Sequence, residues 1–127
     1  MKDKDRILLQ QIGTKMREIS PTVFIDYVIN ETKECDFCLL DDARYQNEIN
    51  TLKKNGWIIV KLLISKKLQI DRLKRVYPDT WETHLERCSH ESETQQDNIS
   101  LDVFDYCIDV EHDDVKKQLD IIYKLND

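Results

Sequence analysis

Two apolar segments that flank one short helical segment constrain the fold of this chain most. Residues 36–41 and 57–64 are both rich in apolar side chains, and residues 45–54 between them lead to an Asn55-Gly56 helix stop. Segments that are apolar on both faces are typical of strands in a parallel sheet. Strand, helix and strand in this order predict a βαβ unit with a right-handed crossover. We therefore expect an α/β fold in which helices flank a parallel sheet.

The remaining segments predict further helices and one more strand. Apolar side chains recur at helical spacing near both ends of the chain. We predict helices over residues 5–19, 22–31, 45–54, 66–77, 79–88 and 112–125, a third strand over 104–110, and a loop over 89–102. Neither a linker nor an internal repeat interrupts the sequence, so residues 1–127 are expected to form a single domain.

The charge balance restricts the partners of this chain. It holds 25 acidic and 19 basic side chains, a net charge of −6, which argues against binding polymeric nucleic acid. Residues 61–90 alone are net basic, which suits either a smaller anion or a solvated helix face. No apolar run approaches the roughly 18 residues that span a bilayer. The charged start carries no signal-peptide core. We expect a cytoplasmic protein, in the host cytoplasm if it is viral.

Charged side chains follow the first predicted strand, where parallel sheets commonly bind ligands. Asp42 and Arg44 lie there, followed by Glu48 on the next helix. An aspartate can hold Mg²⁺ or its water, and an arginine can bind a phosphate through two hydrogen bonds. A helix-capping aspartate beside a surface arginine is the alternative. Gly13 lies inside the first predicted helix, and either close packing or a ligand against its backbone would explain it.

Three short motifs occur in order along the chain. They are Leu8-Leu9-Gln10-Gln11-Ile12-Gly13-Thr14, Asp42-Ala43-Arg44-Tyr45-Gln46-Asn47-Glu48 and His90-Glu91-Ser92-Glu93. With their spacing over residues 6–125, they resemble bacteriophage-type deoxynucleoside monophosphate kinases of the P-loop kinase superfamily. The first is similar to that family's Leu-x-Gln-x-Leu-Gly-Thr helix, and the second to its Asp-x-Arg-x-x-x-Glu motif. The third is similar to a His/Ser-Glu motif beyond the lid.

The resemblance implies phosphoryl transfer from ATP to a (deoxy)nucleoside monophosphate, with Mg²⁺. It implies that Arg44 binds the monophosphate acceptor, together with Gly13, Thr14 and Gln10. It also implies that Asp42 places Mg²⁺ or its waters. This chemistry proceeds by positioning and electrostatics, without a covalent intermediate.

The resemblance also implies a lid over about residues 66–102. Arg72 and Arg75 would stabilise charge on the transferred phosphoryl group, and Arg87 would contact ATP. His90 and Glu93 would order the far end of the lid. The same residues could equally be a solvated helix face and a capped loop.

One departure from the kinase pattern affects every part of this expectation. The superfamily begins with a strand and a G-x-x-x-x-G-K-[S/T] loop that holds the ATP phosphates, whereas the only glycines here are Gly13 and Gly56. We expect the chain to match the carboxyl-terminal portion of such an enzyme, without the first βα unit, and to be inactive alone. An apolar strand edge would then lack its neighbour, which predicts a homodimer, an amino-terminal partner segment or a rearranged sheet. A non-catalytic nucleotide-binding or interaction module is the alternative.

Overall fold

A computed structural model describes residues 5–88 and 95–126 of the chain. Within these residues, six α-helices accompany one parallel sheet of two strands, so the α/β class is confirmed. The helices are α1 (Arg6–Ile19), α2 (Val23–Glu31), α3 (Gln46–Lys54), α4 (Lys66–Val76), α5 (Trp81–Arg87) and α6 (Val115–Asn126). All six lie where the sequence predicts a helix. The part of the predicted loop that is described contains two short 3₁₀ turns, Gln95–Asn98 and Leu101–Val103.

The sheet pairs β1 (Val60–Leu63) with β2 (Tyr106–Asp109). The strands run parallel, with Val60 opposite Tyr106 and Leu63 opposite Asp109. Two backbone hydrogen bonds extend the pairing, from Asp105 N to Ile59 O and from Val110 N to Leu63 O, both 2.9 Å long. Helices α4 and α5 lie between the two strands along the chain, so they form the crossover connection that joins two parallel strands.

The predicted strand at residues 36–41 is wrong, and so is the βαβ unit built on it. These residues form no strand and do not pair with β1 or β2. Phe37 and Leu39 are 68% and 80% exposed, whereas only Leu40 packs against the core. A short apolar run does not reveal whether a pairing partner exists. In this run only one side chain packs against the core, and the other apolar side chains stay exposed. The second predicted strand, over residues 57–64, is longer than the strand that forms, because β1 covers only Val60–Leu63.

The main core lies between α2, α3 and the residues that lead into β1. Its buried members are Ile25, Ile49, Leu52, Ile59 and Ile99. Ile49 and Leu52 are three residues apart on α3, so both face the same side of that helix. Leu40 and Ala43 pack against this core from the preceding segment. The core therefore anchors the polypeptide on both sides of Arg44.

Helix α1 leaves most of its apolar surface uncovered. None of its residues is buried, and Ile7, Leu8, Leu9 and Ile19 are each more than half exposed. An apolar stripe of this kind normally packs against a protein core. In residues 5–88 and 95–126, we find no helix with the length and apolar content needed to cross a bilayer.

Candidate functional site

A cleft with a volume of about 380 Å³ lies between α1, α2 and the segment that enters α3. It is lined by charged and aromatic side chains from all three elements. The polar and aromatic lining residues are Arg17, Phe24, Tyr27, Asp42, Arg44, Tyr45 and Glu48, and Gly13 completes the wall on α1. Cavities of roughly 300–1,000 Å³ with a few converging polar groups are typical of small-molecule sites.

The α1 wall of the cleft follows from helical spacing. Leu9, Gly13 and Arg17 are four residues apart and therefore lie on one face of the helix. The helix begins at the Asp5 cap, whose carboxylate accepts a 3.0 Å hydrogen bond from Leu8 N. At the other end, Asn47 Nδ2 donates to Pro21 O over 2.6 Å and ties α3 to the α1–α2 turn.

The opposite part of the cleft depends on Glu48. Its Oε2 accepts hydrogen bonds from Arg44 N at 3.0 Å and from Tyr45 N at 3.1 Å. The side chain is only 9% exposed, and the backbone donors at the start of α3 satisfy its buried charge. This is half of a capping box, and it fixes the backbone that carries Arg44. The Asp-x-Arg-x-x-x-Glu spacing thus has a structural reason in this chain.

Arg17 lies across the cleft and was missed by the sequence analysis. Its Nη2 donates a 2.8 Å hydrogen bond to Tyr45 Oη, and its guanidinium carbon lies 4.2 Å from the centroid of the Tyr45 ring. The Phe24 ring centroid is 5.8 Å from the same atom. A Cβ atom at Gly13 would stand 3.2 Å from Arg17 Nη1, which is a tight contact. The four-residue spacing from Gly13 was the available signal.

The structure brings some of the predicted site residues together and leaves others apart. Gly13, Asp42 and Arg44 all line the cleft. Gln10 and Thr14 instead line a separate groove along another side of α1.

The predicted lid residues lie outside the cleft. Arg72 and Arg75 are exposed on α4, Arg87 is exposed at the end of α5, and none of the three lines the cleft. His90 and Glu93 lie outside the described residues. The lid assignment therefore stays a prediction.

The cleft residues fit Mg²⁺ only partly. Mg²⁺ takes oxygen ligands, commonly one or two carboxylates together with substrate phosphates. Asp42 offers an exposed carboxylate on the cleft, whereas an oxygen of Glu48 is already bound to two backbone N–H groups. Asp42 can therefore act as one ligand that a phosphate or water would have to complete.

ATP does not fit the glycines of this chain. Gly13 lies inside α1, and Gly56 adopts φ +83° directly after α3, where it ends the helix. Neither begins the phosphate-binding loop that an ATP-binding kinase of this superfamily uses.

A second polar cluster lies at the carboxyl ends of both strands. His112 Nδ1 and Asp109 Oδ2 are 2.8 Å apart, and Asp109 Oδ1 accepts from Glu111 N at 2.9 Å. Ser65, the cap of α4, donates to Glu111 Oε1 over 2.8 Å. These bonds link the two strand ends to α4. The last helix was predicted to begin at His112, but α6 begins only at Val115.

The His112–Asp109 contact shifts the pKa values of both groups. The side-chain hydrogen bond to Asp109 raises the pKa of His112, and the nearby carboxylate charges act in the same direction. The hydrogen bond from His112 lowers the pKa of Asp109, and the Glu111 N–H lowers it further. Because the pair is exposed, its ionisation affects local structure more than global stability.

Comparisons with protein-family models, with curated proteins and with solved structures find no significant match to this chain. The resemblance to phage-type kinases therefore rests on the order and spacing of the three sequence motifs alone.

Proposed function

We propose that the cleft binds a (deoxy)nucleoside monophosphate, and that the chain is the acceptor-binding part of a nucleoside monophosphate kinase-like protein. One observation carries this proposal. Arg44, on a backbone fixed by Glu48, lines the same cleft as the Phe24 and Tyr27 rings.

The two kinds of side chain suit the two ends of a nucleotide. A guanidinium presents a planar fork of N–H donors that matches phosphate oxygens. Aromatic rings stack on nucleobases, and Phe24 and Tyr27 are 38% and 66% exposed at the cleft. Arg44 would hold the phosphate, and one or both rings would contact the base.

The proposed reaction class is the one that the resemblance implies. In that reaction the γ-phosphoryl group of ATP would pass to an oxygen of the acceptor phosphate, giving ADP and a nucleoside diphosphate. Arg44 and two aromatic rings of the cleft support acceptor binding, whereas the 127 residues contain no glycine-rich loop to hold ATP. The same proposal includes Asp42 as a ligand of Mg²⁺. It also includes a lid formed by α4 and α5, which would carry Arg72, Arg75 and Arg87. The protein would have a P-loop kinase-like fold and would act in the cytoplasm.

Calorimetric titration with nucleoside and deoxynucleoside 5′-monophosphates tests acceptor binding. We expect Arg44→Ala to weaken binding about tenfold or more, since a hydrogen bond to a charged group contributes roughly 1.5–3 kcal/mol. Arg6→Ala is the matched control, because Arg6 is exposed on α1 and does not line the cleft. Circular dichroism verifies that both variants fold. Absence of binding by the wild type, or equal affinity of Arg44→Ala and wild type, contradicts the proposal.

A non-catalytic interaction module is a second candidate, and the uncovered face of α1 favours it. Contiguous exposed apolar surface often marks a contact with another protein. On this account the partner is a second copy or an amino-terminal segment, and Arg44→Ala changes stability only. Sedimentation of the chain at increasing concentration, with and without nucleotide, separates the two candidates.

A further inference from the structure

We propose that Arg17 is a second phosphate-binding side chain of the cleft, and that residue 13 is glycine because the Arg17 guanidinium lies against it. This inference rests on the proposed function and names a residue that the kinase resemblance did not supply. It also gives Gly13 a different role from the one that the resemblance implies. Gly13 would make room for a side chain of its own helix, not for the backbone approach of a nucleotide.

A terminal phosphate can use more hydrogen-bond donors than one bidentate arginine supplies. A phosphate monoester has three acceptor oxygens and carries close to two negative charges at neutral pH. Arg17 and Arg44 line one cleft from two different elements. Arg17 gives one N–H to Tyr45 Oη, and a guanidinium carries five N–H groups, so it can bind Tyr45 and a phosphate together.

The segment that enters α3 holds both arginines in place before a ligand binds. Tyr45 is buried, and its ring and hydroxyl both contact the Arg17 guanidinium. Tyr45 also follows Arg44 directly, and Glu48 binds the backbone N–H groups of both residues. One fixed segment therefore positions Arg44 directly and Arg17 through the tyrosine. Side chains held in place before binding lose less entropy when the ligand arrives.

Gly13 lowers the stability of α1, so its presence needs an explanation. A glycine inside a helix is about 1 kcal/mol less favourable than alanine. An alanine here would bring its Cβ to 3.2 Å from Arg17 Nη1, so the guanidinium would have to move by a few tenths of an ångström. A flexible side chain can make that movement at little cost. Gly13→Ala should therefore not destabilise the protein but should displace Arg17.

Three variants test this inference with deoxynucleoside 5′-monophosphates and the corresponding nucleosides as probes. We expect Arg17→Ala to weaken monophosphate binding about tenfold or more, as for a charged hydrogen-bond partner. We expect Tyr45→Phe, which keeps the ring and removes the hydroxyl, to weaken it about threefold. Nucleoside binding, followed by NMR chemical shifts, should stay unchanged in both variants.

Gly13→Ala separates the effect of the glycine on helix stability from its effect on the position of Arg17. Its melting temperature should equal or exceed that of the wild type, while monophosphate binding weakens about threefold or more. Gln11→Ala is the matched control in the same helix, because Gln11 is exposed and does not line the cleft. An affinity equal to that of the wild type overturns the explanation of Gly13.

The outcomes distinguish this inference from the function on which it rests. If the wild type binds no monophosphate, both proposals fail. If the wild type binds and Arg44→Ala weakens binding while Arg17→Ala does not, only the assignment of Arg17 is overturned. Equal losses for nucleosides and monophosphates in Arg17→Ala would also overturn it, because they would show a structural effect.

Discussion

Replacing Glu48 tests whether its buried carboxylate holds the cleft together. Glu48→Ala leaves the Arg44 and Tyr45 backbone N–H groups without their acceptor. Loss of a helix cap costs about 0.5–2 kcal/mol, and a hydrogen bond to a charged group contributes about 1.5–3 kcal/mol. Because Tyr45 is buried and Arg44 is half-buried, water can replace only part of the two bonds. We expect a loss of about 2–3 kcal/mol in the free energy of unfolding.

Thermal unfolding followed by circular dichroism measures this loss. For a chain of this length, 1 kcal/mol corresponds to about 3–5 °C, so the melting temperature should fall by about 6–15 °C. Glu48→Gln keeps one acceptor oxygen and should lie between the wild type and Glu48→Ala. The control is Glu18→Ala, which removes the exposed 3.0 Å ion pair with Lys15 and should cost less than about 0.5 kcal/mol. If Glu48→Ala costs no more than Glu18→Ala, the capping role of Glu48 is refuted.

Two further predictions concern the core and the second polar cluster. Leu52→Ala should lower the free energy of unfolding by about 2–5 kcal/mol in urea titrations, whereas Leu62→Ala, at a side chain that is 56% exposed, should change it far less. The NMR titration of His112 should give a pKa above its ordinary value, and Asp109→Asn should return it towards that value. Because the pKa of His112 is raised in the folded state, the stabilisation from its charged pair with Asp109 is lost as the pH rises through that pKa. At the acidic end, this stabilisation is lost as the pH falls through the lowered pKa of Asp109. An unchanged His112 pKa in Asp109→Asn would refute the pairing.

The helices could be predicted from the sequence because their signals are local. Apolar spacing along α1 and the Gly56 stop after α3 are both readable without knowing the fold. The α/β class was also predicted, although the parallel pair that forms joins β1 to β2 and does not include residues 36–41.

The strand at residues 36–41 could not be judged locally. A strand exists only where a second strand pairs with it, and pairing between distant segments is not encoded in a six-residue run. Leu40 packs against the core while Phe37 and Leu39 remain exposed, so the run has one partly buried position instead of two buried faces.

The cleft was predictable in part. Gly13, Asp42 and Arg44 were named because motifs single them out, and all three line it. Gln10 and Thr14 lie on another side of α1, a difference that helical geometry alone could have shown. Arg17 was missed because a charged residue on a helix usually faces solvent, and its place in the cleft depends on a contact with Tyr45, 28 residues away.

Chemical-shift mapping of the isotopically labelled wild type with a deoxynucleoside monophosphate tests the central claim most directly. The account predicts saturable shifts at the backbone amides of Gly13, Arg17, Arg44 and Tyr45, and at the Arg17 and Arg44 side chains. It also predicts much smaller shifts at the guanidinium groups with the nucleoside alone. Absence of saturable shifts, or saturable shifts confined to residues outside the cleft, would contradict it.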